Sequence, residues 1–477
     1  MAVLCPETAF AAGRDKLLER DLAAHIAILA SDEFGGREPG TEGESKTLRY
    51  LGKQWFDAGL VSGTNDPGHE WFAPVTLVAR APASSTVLFQ RKGKRYTVPA
   101  GDVLALTSGK RSLVENAPLL FVGNGNVVFS RNELAGRVAV LLAGPTDNGV
   151  RQNDLLKAGA GAVLTVLDGE RSISEVSARR RRSGYALGSD IIGGDLEAFI
   201  TASAFAQLLV GSSQGLAALE TEAKAPGFVP HPLDLTVTLE ATTRETTIRT
   251  HNLIGKIEGR RPEAGAVLFM AHWDHFGQCA EPPAEHLICN GAIDNASGLA
   301  ALTEVARRLS RLPQPDRDIY FVATTGEELG LLGAQAFAEN PPLPLKQVVA
   351  ALNIDSVAIA PAGTPFAVVG RGMTRLDSAI AAFAKADKRR LVNDDAANAY
   401  VRRQDGWALL QHDVPAVMVT TSYGDMARME RYFDTDYHRP TDTAKPGLEL
   451  GGAAEDVAFL VTLGRSFADL KKYPAPR

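Results

Sequence analysis

Val267-Leu268-Phe269-Met270-Ala271-His272-Trp273-Asp274 decides how the chain is read. Five apolar residues in a row form a strand buried on both faces, and two chemically active side chains stand where the apolar run stops. The same pattern recurs downstream. Asp318-Ile319-Tyr320-Phe321-Val322-Ala323 reads as the next strand, and Glu327-Glu328 follow it. Val348-Val349-Ala350-Ala351-Leu352-Asn353-Ile354 is a third strand and runs into Asp355; Ala416-Val417-Met418-Val419 is a fourth. Between the first two strands, Leu299, Leu302, Val305, Ala306 and Leu309 recur at helical spacing and predict a helix over Ser297–Arg311. Leu329–Ala338 is predicted helical as well. Alternating strand and helix predict a mostly parallel central sheet with helices on both faces, an α/β fold.

Upstream, Leu17, Leu18, Leu22, Ile26, Ile28 and Leu29 predict a helix. Gly35-Gly36-Arg37-Glu38-Pro39-Gly40-Thr41 breaks it, and a second helix follows over Glu44–Ala58. From about residue 81 the character changes to short strands punctuated by Gly, Asn and Pro, with one helix-to-strand unit at Asn153–Val166. The chain therefore divides into 1–80, an N-terminal part of the main domain; 81–248, a mainly β insertion; and 249–477, the remainder of the main domain. His231 stands alone in the insertion and reads as structural.

A chain of 477 residues exceeds one ordinary core, which agrees with a domain plus an insertion. The residues are 45% hydrophobic and 22% charged, the balance of a globular protein. A net charge of −6 gives no electrostatic case for nucleic acid. The dense basic run Arg179-Arg180-Arg181-Arg182 reads as a solvated loop. No apolar run is long enough to span a membrane. The first residues have neither the basic start nor the apolar stretch of an intact signal peptide. The three cysteines are Cys5, Cys279 and Cys289. A bridge between Cys279 and Cys289 is expected; it would restrain the loop joining His272 to Asp294 and imply an oxidising, periplasmic or secreted location. Cys5 is expected to stay unpaired.

His272 and Asp274, Asp294 before the predicted helix, Glu327 and Glu328, Asp355, and His438 near the C-terminus fall mostly at strand ends, where open α/β sheets build their sites. Singly, each has a structural explanation: Asp294 as a helix cap, Glu327 and Glu328 as a complement to a helix dipole. Together, imidazoles and carboxylates are a donor set for zinc, or for cobalt or manganese. Even five ligands drawn from these seven residues exceed what one catalytic zinc uses and suit two ions bridged by a carboxylate.

Five segments carry a resemblance: Ala271–Gly277, Gly291–Gly298, Thr324–Gly333, Asn353–Asp355 and Tyr437–Thr443. Their order and spacing resemble the co-catalytic zinc aminopeptidase family, which includes glutamate carboxypeptidase II, transferrin receptor and glutaminyl cyclase. Ser31–Gly43 resembles the segment before that family's catalytic sheet, and Leu155–Val166 resembles part of an inserted protease-associated domain. The resemblance implies a zinc exopeptidase fold, two zinc ions and a peptide substrate. It implies that His272 and Asp355 hold one zinc, Glu328 and His438 the other, and that Asp294 bridges them. Glu327 is implied as general base, Asp274 as the acceptor that orients the His272 ring, and Tyr437 as a donor to the developing oxyanion.

One departure bears on substrate choice. Where the family often has Arg-Ser-Asp-His, this chain has Arg403-Gln404-Asp405-Gly406. Removal of N-terminal residues is the leading expectation. A carboxypeptidase or dipeptidase, a glutaminyl cyclase and a non-catalytic receptor-like protein remain as alternatives.

Overall fold

The computed structural model describes residues 15–124, 129–144, 148–168, 171–182, 184–190, 193–445 and 447–474. Cys5 lies outside them. The chain forms two compact units, one of residues 1–77 with 248–477 and one of residues 78–247.

The first unit carries the four expected strands and two more that the sequence patterns had not shown. They are β1 (His231–Ile257, through its last residues), β2 (Ala266–His272), β3 (Asp318–Thr324), β4 (Val348–Asn353), β5 (Ala367–Val369) and β6 (Ala416–Thr420). The order across the sheet is β5-β6-β4-β2-β3-β1. β6, β4, β2 and β3 run parallel, and the two outer strands are antiparallel. The sequence patterns had not shown β5, because three residues are too few to display a period.

Alternate residues face opposite sides of the sheet. Val267, Phe269 and Ala271 join one apolar cluster, with α1 (Lys16–Leu29), α2 (Glu42–Asp57), α3 (Gly298–Ser310) and the last helix (Leu450–Ala468). Leu268 and Met270 join another, with Leu332–Glu339 and Gly406–Leu410. Helices therefore cover both faces, as expected. In α1, Leu18, Leu22, Ile26 and Leu29 are buried, while Leu17 and Ile28 lie off that stripe and are exposed.

In the second unit, parts of Arg111–Phe121, Val138–Leu142, Ala162–Val166 and Leu196–Ile200 form a parallel set. Helices Asn148–Lys157, Ile173–Arg182, Ala202–Leu208 and Leu216–Glu222 accompany these strands. The basic run ends the helix Ile173–Arg182 and is not the expected loop. His231 is within 3.2 Å of Glu222, a local structural contact.

Candidate metal centre

The register of the parallel strands brings the site together. His272 is the last residue of β2 and pairs with Thr324, the last of β3. Met270 pairs with Asn353 of β4, so Asp355 leaves its strand level with His272. Glu327 and Glu328 follow β3. Asp294 comes from the turn Ala292–Ser297 that leads into α3, and His438 from the loop after helix Met426–Thr435.

Two groups of donors result. His272 Nε2 is 3.1 Å from Asp294 Oδ1 and 3.6 Å from Asp355 Oδ1. His438 Nε2 is 3.3 Å from Asp294 Oδ2 and 2.9 Å from Glu328 Oε2. Asp294 thus turns one carboxylate oxygen to each group. The Nε2 atoms of both histidines are buried and lack any hydrogen-bond partner among the described residues. The His272 Nδ1 is 3.1 Å from the Asp274 carbonyl, which can only accept, so the proton sits on Nδ1 and Nε2 offers its lone pair. A lone pair facing carboxylate oxygens is repulsive unless a cation lies between them. Donors bound to one tetrahedral zinc at about 2.0 Å stand about 3.3 Å apart, and the measured separations bracket that value. The residues fit a metal ion in each group.

Without a metal ion, the same carboxylates draw a proton to the histidine nitrogens instead, which shows the same demand for positive charge. Burial alone would depress the His272 imidazole, but the carboxylates of Glu327, Asp294 and Asp355 hold its pKa well above the ordinary value. Burial likewise opposes charge on His438, yet Glu328 and Asp294 push it up to about 9. Burial would raise Asp294, but His272 and His438 keep it well below the usual carboxylate range. Glu327 is the opposite case: burial, Glu328 and Asp355 raise it well above its ordinary value, despite His272.

Residues 252–457 match the description of peptidase family M28. This part of the chain is similar to that family. Over 128 residues the chain is 32% identical to the alkaline phosphatase isozyme conversion protein of Escherichia coli (strain K12), covering 25% of this chain and 36% of that protein. Over 238 residues it is 28% identical to a probable glutamate carboxypeptidase VP8 of Zea mays, covering 48% of this chain and 31% of that protein. The chain spans well under half the length of these curated relatives. Among solved structures, an aminopeptidase from Aneurinibacillus sp. strain AM-1 shares the fold, with a TM-score of 0.56 at 18% identity, over 94% of this chain and 93% of that one.

Around the donor set, other side chains fix the loops. Asp274 faces the His272 ring as an acceptor, and it does so through its backbone. Its backbone carbonyl, not its carboxylate, takes the His272 ring proton; the carboxylate oxygen is 3.8 Å away. The carboxylate instead accepts the backbone N–H groups of Glu327 at 3.1 Å and Glu328 at 3.4 Å. Asn295 ties two ligand loops together: its Nδ2 donates to the Ile354 carbonyl and its Oδ1 accepts the Ser356 N–H. Asp442 accepts the N–H groups of Ile293 and Asp294.

Arg37 was read only as part of a glycine-rich break. It is fully buried and donates to the carbonyls of Leu29, Trp273, Asn290 and Gly291. Burial lowers its pKa to about 10, which leaves it charged at neutral pH beside the carboxylates. Gly291 makes this junction possible: its φ is +55°, and a Cβ there would lie 2.0 Å from the Asp294 carbonyl oxygen.

Two further residues near the ligands were missed in the sequence. Asp405 is buried, accepts the Thr324 hydroxyl, and is raised to about 6 by burial. His275 donates through Nδ1 to Glu328 Oε1. Its signal was present as a second histidine in the Ala271–Gly277 segment. Gln404 and Gly406, the departures from the family pattern, serve a local turn in which Gln404 Oε1 accepts the Gly406 N–H.

A pocket opens beside the donors, lined by Glu327, Asp355, Arg403, Tyr423, Phe433 and Tyr437, among others. Arg403 Nη2 donates to the Tyr437 hydroxyl oxygen at 3.2 Å. The phenol therefore keeps its own O–H for another acceptor. The described residues include no helix long and apolar enough to cross a membrane. Cys279 and Cys289 form the expected disulfide, with a Cα–Cα distance of 5.6 Å.

Proposed function

We propose that the protein is a two-zinc exopeptidase that releases N-terminal residues from peptides. The observation that carries the reading is the Asp294 carboxylate, with one oxygen toward His272 and the other toward His438. In this reading His272 and Asp355 hold one zinc, Glu328 and His438 the other, and Asp294 bridges. The match of residues 252–457 to peptidase family M28 supports peptide hydrolysis. The name of the Aneurinibacillus protein agrees with an aminopeptidase but, at 18% identity, does not fix specificity.

Bound zinc would supply Lewis acidity and an acidified water. The chain's own residues do the rest. Glu327 lines the pocket and has no hydrogen bond to its carboxylate from the described residues, so it is free to take a proton from water and pass it to the leaving nitrogen. Its raised pKa without metal would fall beside two dications, which favour the charged form. Tyr437, with its O–H free, is placed to donate to an oxyanion. Asp274 holds Glu327 and Glu328 in place through their backbone.

A carboxypeptidase or dipeptidase is the second reading, favoured by one observation: Arg403, in the pocket, has no carboxylate partner among the described residues. Glutaminyl cyclase activity is a third reading, of a different reaction class. We further infer that residues 81–248, nearly the span of the second compact unit, are a protease-associated-like insertion and that the protein is periplasmic or secreted. The Cys279–Cys289 bridge supports that location.

A panel of aminoacyl-nitroanilides, N-blocked peptides, dipeptides and N-terminal glutaminyl peptides, with and without zinc, tests the function. Zinc-dependent release of nitroaniline from unblocked substrates is expected. Cleavage confined to blocked peptides, or to dipeptides, would replace the aminopeptidase reading. Cyclisation without hydrolysis would overturn both.

A further inference from the structure

His275 lies between two roles that the donor set alone does not separate. It is buried, three residues beyond His272, and its ring faces Glu328 and Asp294 at the second group of donors. It stands as near that group as a ligand would. The distances decide between ligand and support. Separations of 3.1, 3.6, 3.3 and 2.9 Å within the two groups suit donors that share a metal. His275 Nδ1 is 2.5 Å from Glu328 Oε1. Two atoms bound to one tetrahedral ion stand about 3.3 Å apart, so this pair is too close to share one. At that distance a proton lies between them, and the carboxylate oxygen can only accept it.

Glu328 is therefore divided. Oε1 is taken by His275, and Oε2 is left facing His438 Nε2 at 2.9 Å. The His275 ring has no other polar partner: its buried Nε2 lacks a hydrogen bond among the described residues. Its backbone N–H donates to the Arg37 carbonyl at 3.2 Å, which anchors the backbone that carries the ring.

We propose that His275 is a positioning residue for the second metal, the hydrogen-bond donor that holds Glu328 to a single metal-facing oxygen. The inference rests on the two-metal reading above. Without the donor, Glu328 can rotate or bind through both oxygens, and the second ion loses its preset ligand. Removing such an outer partner lowers metal affinity about 10–100-fold.

The test measures zinc affinity and ion count on the full chain, after metal removal, by competition with a chromophoric chelator. His275→Leu removes the donor at similar volume. His275→Asn puts an amide N–H near the position of Nδ1. His275→Gln carries it one bond farther. Wild-type protein is expected to bind two ions, His275→Leu to bind one of them about 10–100-fold more weakly, and His275→Asn to recover most of that loss. Melting of the metal-free forms should barely differ, which a purely structural role would not allow. Unchanged affinity in His275→Leu overturns the inference. Equal loss in His275→Leu and His275→Asn overturns it in favour of direct ligation. If His275→Leu does not fold, tighter binding by His275→Asn than by His275→Gln supports the inference and the reverse order or equality overturns it. A wild-type count of one ion sinks the two-metal reading separately, and the ratio between variants still judges His275.

Discussion

The backbone N–H of Glu327 donates to Asp274 Oδ1 at 3.1 Å, so the residue after β2 fixes the loop after β3. Asp274 is fully buried, and its other oxygen takes the Glu328 N–H at 3.4 Å. The loop after β3, which carries both the proposed base and a proposed ligand, is thereby held by one carboxylate. Asp274→Asn would keep one acceptor and turn an NH2 donor toward the other N–H. Leaving that buried N–H unpaired should cost about 1–3 kcal/mol of stability. Zinc affinity should fall about 10–100-fold, as for other outer partners. Denaturant melts and chelator competition check both. Unchanged zinc binding would mean that the loop does not depend on Asp274.

The two groups of donors predict two ions per chain. Elemental analysis at saturating zinc should find two, and a strong chelator should abolish turnover, with zinc restoring it. A saturating count of one or none would sink the paired site, whatever the activity.

Cys279 and Cys289 close a short loop between the His272 and Asp294 segments. Closure of a loop this size restricts the unfolded chain by about 3 kcal/mol in the chain-entropy account. Reduction, or Cys279→Ala with Cys289→Ala, should lower stability by about that amount. Thiol titration of the denatured protein should find one free thiol before reduction and three after. Three thiols before reduction would rule the bridge out.

Much of this architecture was legible because parallel strands covered on both faces have no polar side to hide a ligand. His272 and Asp355 therefore stand out where apolar runs end. The same logic exposed α1, whose Leu18, Leu22, Ile26 and Leu29 lie on one stripe. It overcounted Leu17 and Ile28, since hydrophobicity does not say which side of a helix meets the sheet. His275 was less legible because its role depends on Glu328, 53 residues away, which only strand register brings near. Arg37 was hidden for the same reason: its partners are backbone carbonyls, which no side-chain pattern announces. The second task of Asp274, its carboxylate on the Glu327 and Glu328 N–H groups, was not legible because backbone partners leave no mark in a side-chain pattern.

Asp456 predicts a pH dependence remote from the metal centre. It is buried and accepts hydrogen bonds from Thr420 and Thr421, with Arg389 nearby. Burial raises its pKa to about 7, despite Arg389 and the threonines. An unfolded aspartate titrates near 3.9. The folded state therefore binds this proton more tightly than the unfolded one. Its contribution to stability is greatest at low pH and is lost as pH rises from about 4 through about 7. Asp456→Asn cannot titrate, so that component of the pH slope should vanish. Melting curves of wild type and variant across this window check the sign; a wild-type curve no steeper than the variant's would contradict it.

The adjacent pair Glu327 and Glu328 gives the sharpest test of mechanism. Glu328 is tied on both oxygens, to His275 and toward His438, and its pKa stays low: burial and Asp294 would raise it, but His275 and His438 prevail. Glu327 has no such ties at its carboxylate, and burial raises it well above its ordinary value. One is built like a ligand, the other like a proton carrier. Glu327→Gln keeps size and removes the base, so turnover should fall by about 10²–10⁴-fold while zinc content and melting temperature barely move. KM should change little, since the loss lies in the chemical step. Glu328→Gln puts an amide where one oxygen accepts from His275 and the other faces the metal group, so zinc occupancy should fall along with rate. Near-normal turnover in Glu327→Gln, or loss of zinc from it but not from Glu328→Gln, would exchange the two roles.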